Sequence, residues 1–128
     1  MILVDSSVIF DHTRGRDPRL AQLFTTLPVA VCGIVRAEVL HGARNTSNRA
    51  ALDNLLNQFI QVLTPESAWD LTGDNLCLLR MRGLTIPLPD VLLATLAIVH
   101  DLELWARDAH FPMMRQHLPT LKLFQEPP

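Results

Sequence analysis

The sequence predicts a single α/β domain built on a central parallel sheet whose two faces are both covered by helices. Two observations lead to this fold class. Short, almost continuously apolar runs alternate along the chain with segments of helical periodicity, and strands buried on both faces of a sheet have such runs. The length of 128 residues, 48% of them hydrophobic, corresponds to one domain with its own core.

The first half of the chain is predicted to hold three strands and three helices. Each strand is a short apolar run, and the first two runs end at Asp5 and Gly33. Each helix repeats apolar residues every three to four positions, and Pro18 suits the first turn of the first helix. The strands are Met1–Val4, Val29–Cys32 and Ile60–Leu63, and the helices are Asp17–Thr26, Ile34–Ala43 and Ser47–Phe59.

The second half is predicted to hold a long helix, a buried helix, a strand, a short helix and a candidate fifth strand. Thr64 and Pro65 suit the cap and first turn of the long helix, and Gly83 suits its end. The segment from Pro89 to Val99 is apolar almost all round, which predicts a deeply buried helix. The remaining elements are the strand Glu103–Ala106, the helix Pro112–His117 and the strand Lys122–Phe124. Residues 1–128 are expected to form one domain, with a frayed tail at 125–128.

Several features indicate a protein of the cytoplasm. No apolar stretch approaches the ~18 residues that a membrane span needs, so no membrane partner is expected. Asp5 interrupts the first apolar run too early for a secretory signal. Cys32 and Cys77 match no metal-binding spacing and are predicted to be buried, reduced thiols. Trp69 and Trp105 are predicted to be core residues.

Four carboxylates are predicted to meet at one edge of the sheet. Asp5 ends the first strand, and Asp108 lies just beyond the fourth. Asp90 opens the buried helix, and Glu38 lies about one turn into the helix after the second strand. Taken singly, Asp5 and Asp108 also fit turns. Asp90 fits a helix cap, and Glu38 fits a solvated helix position. Because the site of a parallel α/β sheet lies outside the carboxyl ends of its strands, four such coincidences favour a functional cluster.

A cluster of carboxylates predicts a divalent metal. Converging carboxylates repel one another and raise one another's pKa unless a cation neutralises them, and no basic residue is obviously placed among these four. Oxygen ligands without paired His or Cys suit Mg²⁺ or Mn²⁺. Metal ions held by carboxylates are typical of enzymes that displace groups at phosphorus.

The four acids lie within or beside four segments that together cover nearly the whole chain. These are V-D-S-S-V-I-F (Val4–Phe10), A-E-V-L-H-G-A (Ala37–Ala43), I-P-L-P-D-V-L-L-A-T-L-A (Ile86–Ala97) and L-E-L-W-A-R-D-A-H-F (Leu102–Phe111). In order and spacing they resemble the PIN-domain family, and specifically the VapC-type toxins of bacterial toxin–antitoxin pairs.

The resemblance implies a fold, an activity and partners. The fold would be a PIN-like α/β/α sandwich with four to five short strands, and the activity that of a Mg²⁺- or Mn²⁺-dependent endoribonuclease toxin. The partners would be RNA and a cognate VapB-type antitoxin, with a homodimer that forms a heterotetramer or larger assembly with the antitoxin. By matching position, the catalytic and metal-binding acids would be Asp5, Glu38, Asp90 and Asp108, and Ser7 would take the family's small polar position.

The last motif departs from the family at two positions. The family often has Thr or Ser just before its Arg-Asp pair, whereas this chain has Ala106. Some members carry a further acid two residues beyond the fourth, where this chain has His110. His110 is read either as a residue that supports the site or contacts RNA, or as a partly exposed side chain without a catalytic role.

The arginines of the chain are candidates for binding RNA phosphates. The net charge is −2, yet a body whose four site acids are neutralised by cations would carry +2, supplied almost wholly by ten arginines. Arg14, Arg16 and Arg19 follow the first strand near the predicted site and could bind phosphates. The alternative is an ordinary solvated charge run.

Other function classes fit less well. A phosphorylation receiver domain needs an adjacent acidic pair after the first strand and a late lysine, but Ser6 follows Asp5 and the one lysine is Lys122. A haloacid-dehalogenase-like phosphatase needs a second Asp where Ser7 stands. The remaining alternative is a catalytically silent PIN-like binding module that acts only through its partner.

Overall fold

A five-stranded, all-parallel sheet forms the centre of the computed structural model, which describes residues 1–128. Its strand order is β3-β2-β1-β4-β5. The strands are β1 (Ile2–Val4), β2 (Val29–Cys32), β3 (Ile60–Val62), β4 (Glu103–Trp105) and β5 (Lys122–Leu123). The predicted parallel sheet is thereby confirmed, including its fifth strand.

Strand β1 is the point at which the chain changes direction across the sheet. It pairs with β2 on one side, with Ile2 opposite Val29, and with β4 on the other, with Val4 opposite Trp105. The chain first builds outwards from β1 to β3 and then returns to the other side of β1. Such a reversal opens a crevice at the carboxyl ends of the two strands that flank it, here β1 and β4.

Seven helices flank the sheet and complete the predicted α/β/α arrangement. They are α1 (Ser6–Thr13), α2 (Arg19–Thr26), α3 (Gly33–His41), α4 (Thr46–Asn57), α5 (Ser67–Met81), α6 (Leu88–Val99) and α7 (His110–Arg115). Helix α6 is buried without interruption from Val91 to Ala97, as its apolar sequence predicts. None of the helices is long and apolar enough to span a membrane.

The structure corrects several predicted boundaries. Helix α1 occupies residues for which the sequence predicted no element. Helix α5 begins at Ser67 after the N-cap Glu66, later than the predicted opening at Thr64 and Pro65. Helix α7 begins at His110, two residues before the predicted start.

Two side chains predicted to be buried are exposed. Trp69 is 49% exposed, and Cys77 is exposed as well. Both lie on α5, whose fully buried residues are Ala68, Thr72 and Leu79. Successive helical positions are rotated by about 100°, so Trp69 stands well away from the face on which its neighbour Ala68 packs. The predictions for Cys32 and Trp105 are confirmed, because both are buried in the sheet.

Candidate metal centre

Asp5 is the most buried acid of the chain. It follows β1 directly, is 4% exposed, and caps the N-terminus of α1. Its Oδ2 accepts hydrogen bonds from the backbone N–H of Ser7 (3.2 Å) and from the Ser7 hydroxyl (2.5 Å). Both bonds fall on one oxygen, so Oδ1 has no side-chain partner within the protein.

Ser7 also ties Asp5 to the loop after β4. The backbone N–H of Arg107 donates to the Ser7 hydroxyl oxygen over 3.1 Å. The backbone N–H of Asp5 in turn donates to the carbonyl of Trp105 over 2.8 Å. These contacts hold the ends of β1 and β4 in fixed relation, and they give the predicted small polar residue a definite position beside Asp5.

The charge of Asp90 acts on the carboxyl groups of both Asp5 and Glu38. Burial raises the pKa of the Asp5 carboxyl, and the charge of Asp90 raises it further against the lowering effect of the Ser7 bonds. Burial also raises the pKa of Glu38, with added contributions from the charges of Asp5 and Asp90. No lysine or arginine forms an ion pair with any of the three. The crevice therefore concentrates negative charge without a lysine or arginine to neutralise it.

His110 joins Asp90 to Asp108. Asp90 lies in the first turn of α6, and its Oδ2 is 2.8 Å from Nδ1 of His110. The same nitrogen lies 3.3 Å from Oδ1 of Asp108, which also accepts the backbone N–H of His110 over 2.8 Å. The hydrogen bond to Asp90, together with the charges of both carboxylates, raises the pKa of His110. Of the four predicted acids, Asp108 is the most exposed, with 43% of its side chain accessible.

Arg107 immediately precedes Asp108, but its guanidinium is committed elsewhere. It forms ion pairs with Asp11 (2.9 Å), Asp17 (2.7 Å) and Glu126 (2.7 Å). These partners raise the pKa of Arg107, with Glu126 the largest contributor. Arg107 therefore anchors the loop that carries Asp108 and neutralises none of the acids in the crevice. Sequence reasoning missed this cluster; the only signal was an arginine adjoining a predicted site acid.

The three predicted phosphate-binding arginines lie in different environments. Arg16 pairs with Asp11 at 3.6 Å, and Arg19 pairs with Asp17 at 3.2 Å. Arg14 has no carboxylate partner, and its guanidinium lies 4.6 Å from the centroid of the Phe10 ring. Arg14 also lines an open groove with Arg44, which the sequence analysis did not single out. Arg14 is therefore the member of the trio that is free to meet a phosphate.

The donor set fits a hard divalent cation. Asp5, Glu38 and Asp90 offer carboxylate oxygens whose negative charge is partly desolvated and unpaired by any lysine or arginine. Asp90, Asp108 and His110 place three potential ligand atoms within 4.8 Å of one another. Mg²⁺ and Mn²⁺ are bound by such oxygen-rich sites.

A model of the PIN domain matches residues 2–115, which is most of the chain. The chain belongs to the PIN-domain family. This PIN domain is 36% identical over 124 residues to Ribonuclease VapC10 of Mycobacterium tuberculosis (strain ATCC 25618 / H37Rv), and the match covers 93% of this chain and 92% of that relative. The resemblance seen in the four sequence segments is thereby confirmed.

Solved structures share the fold across almost the whole chain. VapBC2 from Rickettsia felis, bound to a DNA fragment from its promoter, matches with a TM-score of 0.80 at 22% identity, covering 97% of this chain and 98% of that one. DNA-bound VapBC from Salmonella typhimurium matches with a TM-score of 0.82 at 14% identity, covering 96% of each chain. FitAcB from Neisseria gonorrhoeae matches with a TM-score of 0.77 at 21% identity, covering 98% of this chain and 97% of that one.

Proposed function

We propose that this PIN domain is a Mg²⁺- or Mn²⁺-dependent endoribonuclease that acts as the toxin of a VapBC-type toxin–antitoxin pair. The observation that carries the proposal is the set of carboxylates without a lysine or arginine partner in the crevice beside β1. The 36% identity to a protein named as a ribonuclease supplies the choice of RNA as substrate. The proposed site of action is the cytoplasm.

The proposed ligands are Asp5, Glu38, Asp90 and Asp108. A divalent cation bound there would activate a water molecule and stabilise the leaving oxygen of a phosphodiester. Asp5 is the best fixed of the four, because Ser7 orients its carboxylate and holds one oxygen. Burial and the charges of Asp5 and Asp90 raise the pKa of Glu38, so a cation bound beside it would favour its ionised form. We further propose that Arg14, which lies at the C-terminal end of α1, binds the RNA backbone.

The proposed partner is a VapB-type antitoxin. The solved structures that share this fold include complexes named VapBC and FitAcB, and the two VapBC complexes are bound to DNA. By analogy we propose a homodimer of this chain that assembles with its antitoxin into a heterotetramer or a larger complex. Such an antitoxin would silence the nuclease until it is removed.

The proposal is tested by comparing RNA cleavage by the wild type with cleavage by a variant in which one carboxylate is replaced by its amide. The wild type should cut total cellular RNA in the presence of Mn²⁺ and stop when EDTA is added. Asp90→Asn should lose at least about a hundredfold in rate with an unchanged circular-dichroism spectrum, because ligand charge is lost and shape is kept. Asp74→Asn is the matched control, because Asp74 is exposed on α5 and forms no ion pair. If the wild type leaves RNA intact and Asp90→Asn behaves identically, the chain is instead a silent binding module.

A further inference from the structure

We infer that His110 is itself a metal ligand, and that its imidazole nitrogen makes the centre bind Mn²⁺ in preference to Mg²⁺. The inference rests on the metal centre proposed above and adds to it a nitrogen donor that the four acids do not supply. It concerns Nδ1 of His110 together with one oxygen each of Asp90 and Asp108.

The imidazole nitrogen of His110 stands from each of the two carboxylate oxygens at the spacing of neighbouring ligands around one ion. Nδ1 of His110 lies 2.8 Å from Oδ2 of Asp90 and 3.3 Å from Oδ1 of Asp108. With bonds of about 2.1 Å, adjacent ligands of an octahedral ion are separated by about 3.0 Å. A cation can therefore be accommodated by small rotations of these side chains, with no change of the backbone.

The backbone beneath His110 is held on both sides. His110 begins α7, whose next apolar residues Phe111 and Met114 are 1% and 0% exposed. On the other side the loop is anchored by the ion pairs of Arg107. The imidazole itself remains 35% exposed, so solvent and ions can reach it. This combination of a fixed backbone and an accessible ring is what a preformed ligand position requires.

The chemistry of the nitrogen donor sets the metal preference. Mg²⁺ favours oxygen ligands and retains its waters, whereas Mn²⁺ and the later divalent transition metals also accept imidazole. A histidine at this position adds a ligand without adding charge, and the four nearby acids already match the charge of two divalent cations. An aspartate at this position would add a fifth negative charge and an oxygen ligand, and would therefore favour Mg²⁺.

A different role for His110 makes a different prediction. If His110 only donates a hydrogen bond that orients Asp90, its removal should weaken Mn²⁺ and Mg²⁺ binding to the same degree. If it is a ligand, the loss should fall mainly on Mn²⁺. The ratio of the two affinities therefore separates the two roles, and it can be measured without RNA or activity.

The test is a Mn²⁺ titration followed by electron paramagnetic resonance, with Mg²⁺ as competitor. His110→Ala should weaken Mn²⁺ binding at least about tenfold and Mg²⁺ binding less than about threefold, and His110→Asp should shift the ratio towards Mg²⁺. His117→Ala, a histidine seven residues further on, should match the wild type. Pulsed spectra of Mn²⁺ bound to the wild type should show coupling to a directly bound imidazole nitrogen, which requires no variant.

Several results would overturn the inference. Wild-type Mn²⁺ binding without nitrogen coupling, or equal losses for both metals in His110→Ala, would reject His110 as a ligand and leave the proposed nuclease standing. Tighter binding of both metals by His110→Ala would likewise reject it. A wild type that binds neither metal would reject the metal centre as a whole, and with it both the inference and the proposed function.

Discussion

Replacing Asp5 by asparagine should stabilise the metal-free protein, although the same change disables the proposed metal centre. Asp5 is 4% exposed, lacks a cationic partner, and has its pKa raised by burial and by the charge of Asp90. Asparagine has the same shape and retains an oxygen that can accept the two hydrogen bonds from Ser7. The substitution therefore removes the charge and little else.

The expected gain is about 1–2 kcal/mol. An unpaired buried charge costs several kcal/mol after relaxation, and hydrogen bonds to a charged group return about 1.5–3 kcal/mol each, so most but not all of the cost is offset by Ser7. For a chain of this size the gain corresponds to a melting temperature roughly 4–7 °C higher. Metal at 100 times its dissociation constant should stabilise the wild type by about 2.7 kcal/mol, so the order of stability reverses when metal is added.

The advantage of Asp5→Asn should also depend on pH. The pKa of Asp5 in the folded protein lies above its ordinary value of 3.8. Folding therefore favours the protonated carboxyl, and this contribution to stability is present at low pH and is lost as pH rises through the folded pKa. The wild type should lose stability relative to Asp5→Asn as pH rises from about 4 towards neutrality.

Thermal unfolding in EDTA and in MnCl₂, followed by circular dichroism, measures both effects. Asp74→Asn serves as the control, since removal of an exposed charge should change neither curve. A lower melting temperature for Asp5→Asn in EDTA would refute the reasoning about an uncompensated charge. Equal stabilisation of Asp5→Asn and wild type by Mn²⁺ would refute the role of Asp5 as a ligand.

Two further predictions concern the cluster around Arg107. Glu126→Ala should lower the free energy of unfolding in urea by about 2–3 kcal/mol, because the indole N–H of the fully buried Trp105 loses its acceptor at 2.7 Å. Glu126→Gln keeps an acceptor for the indole and should lower it by about 1 kcal/mol. Equal losses in the two variants would show that the hydrogen bond from the Trp105 indole does not set the stability contributed by Glu126. The bonds from Arg19 and Arg107 hold the pKa of Asp17 well below its usual range, so its contribution to stability is present above about pH 4 and is lost as pH falls. In Asp17→Asn the free energy of unfolding should therefore fall less steeply than in the wild type as pH is lowered below about 4. An equally steep fall in both proteins would contradict the contribution of Asp17.

The strands and the buried helix could be predicted because their signals are local. The apolar runs that form β1 and β2 are bounded by polar residues or glycine, and α6 is apolar almost all round. Helix α1 was missed because it is short and opens on two serines. Its signal was Asp5 itself, whose side chain caps the helix, but that residue was interpreted as the end of a strand, a turn residue or a site acid.

The acids of the site could be predicted from the sequence, but the ion pairs beside them could not. The sequence shows that Asp5 follows β1 and that Asp90 lies at the start of α6. The parallel topology then brings these two acids and Glu38 together. Their binding of metal stays a prediction. The cluster around Arg107 could not be predicted, because it joins Asp11 and Glu126 through the reach of one side chain across distant parts of the chain. Trp69 was wrongly predicted to be buried, because apolar character alone does not show on which side of a helix a residue lies.

The most direct test of the metal centre is anomalous diffraction from crystals of the wild type soaked in Mn²⁺. We expect an anomalous peak in the crevice at the carboxyl ends of β1 and β4, within about 2.3 Å of carboxylate oxygens of Asp5 and Asp90. The peak should be absent from isomorphous crystals of Asp90→Asn. A fully soaked wild-type crystal with no peak there, or with its only peak at another part of the surface, would contradict the account.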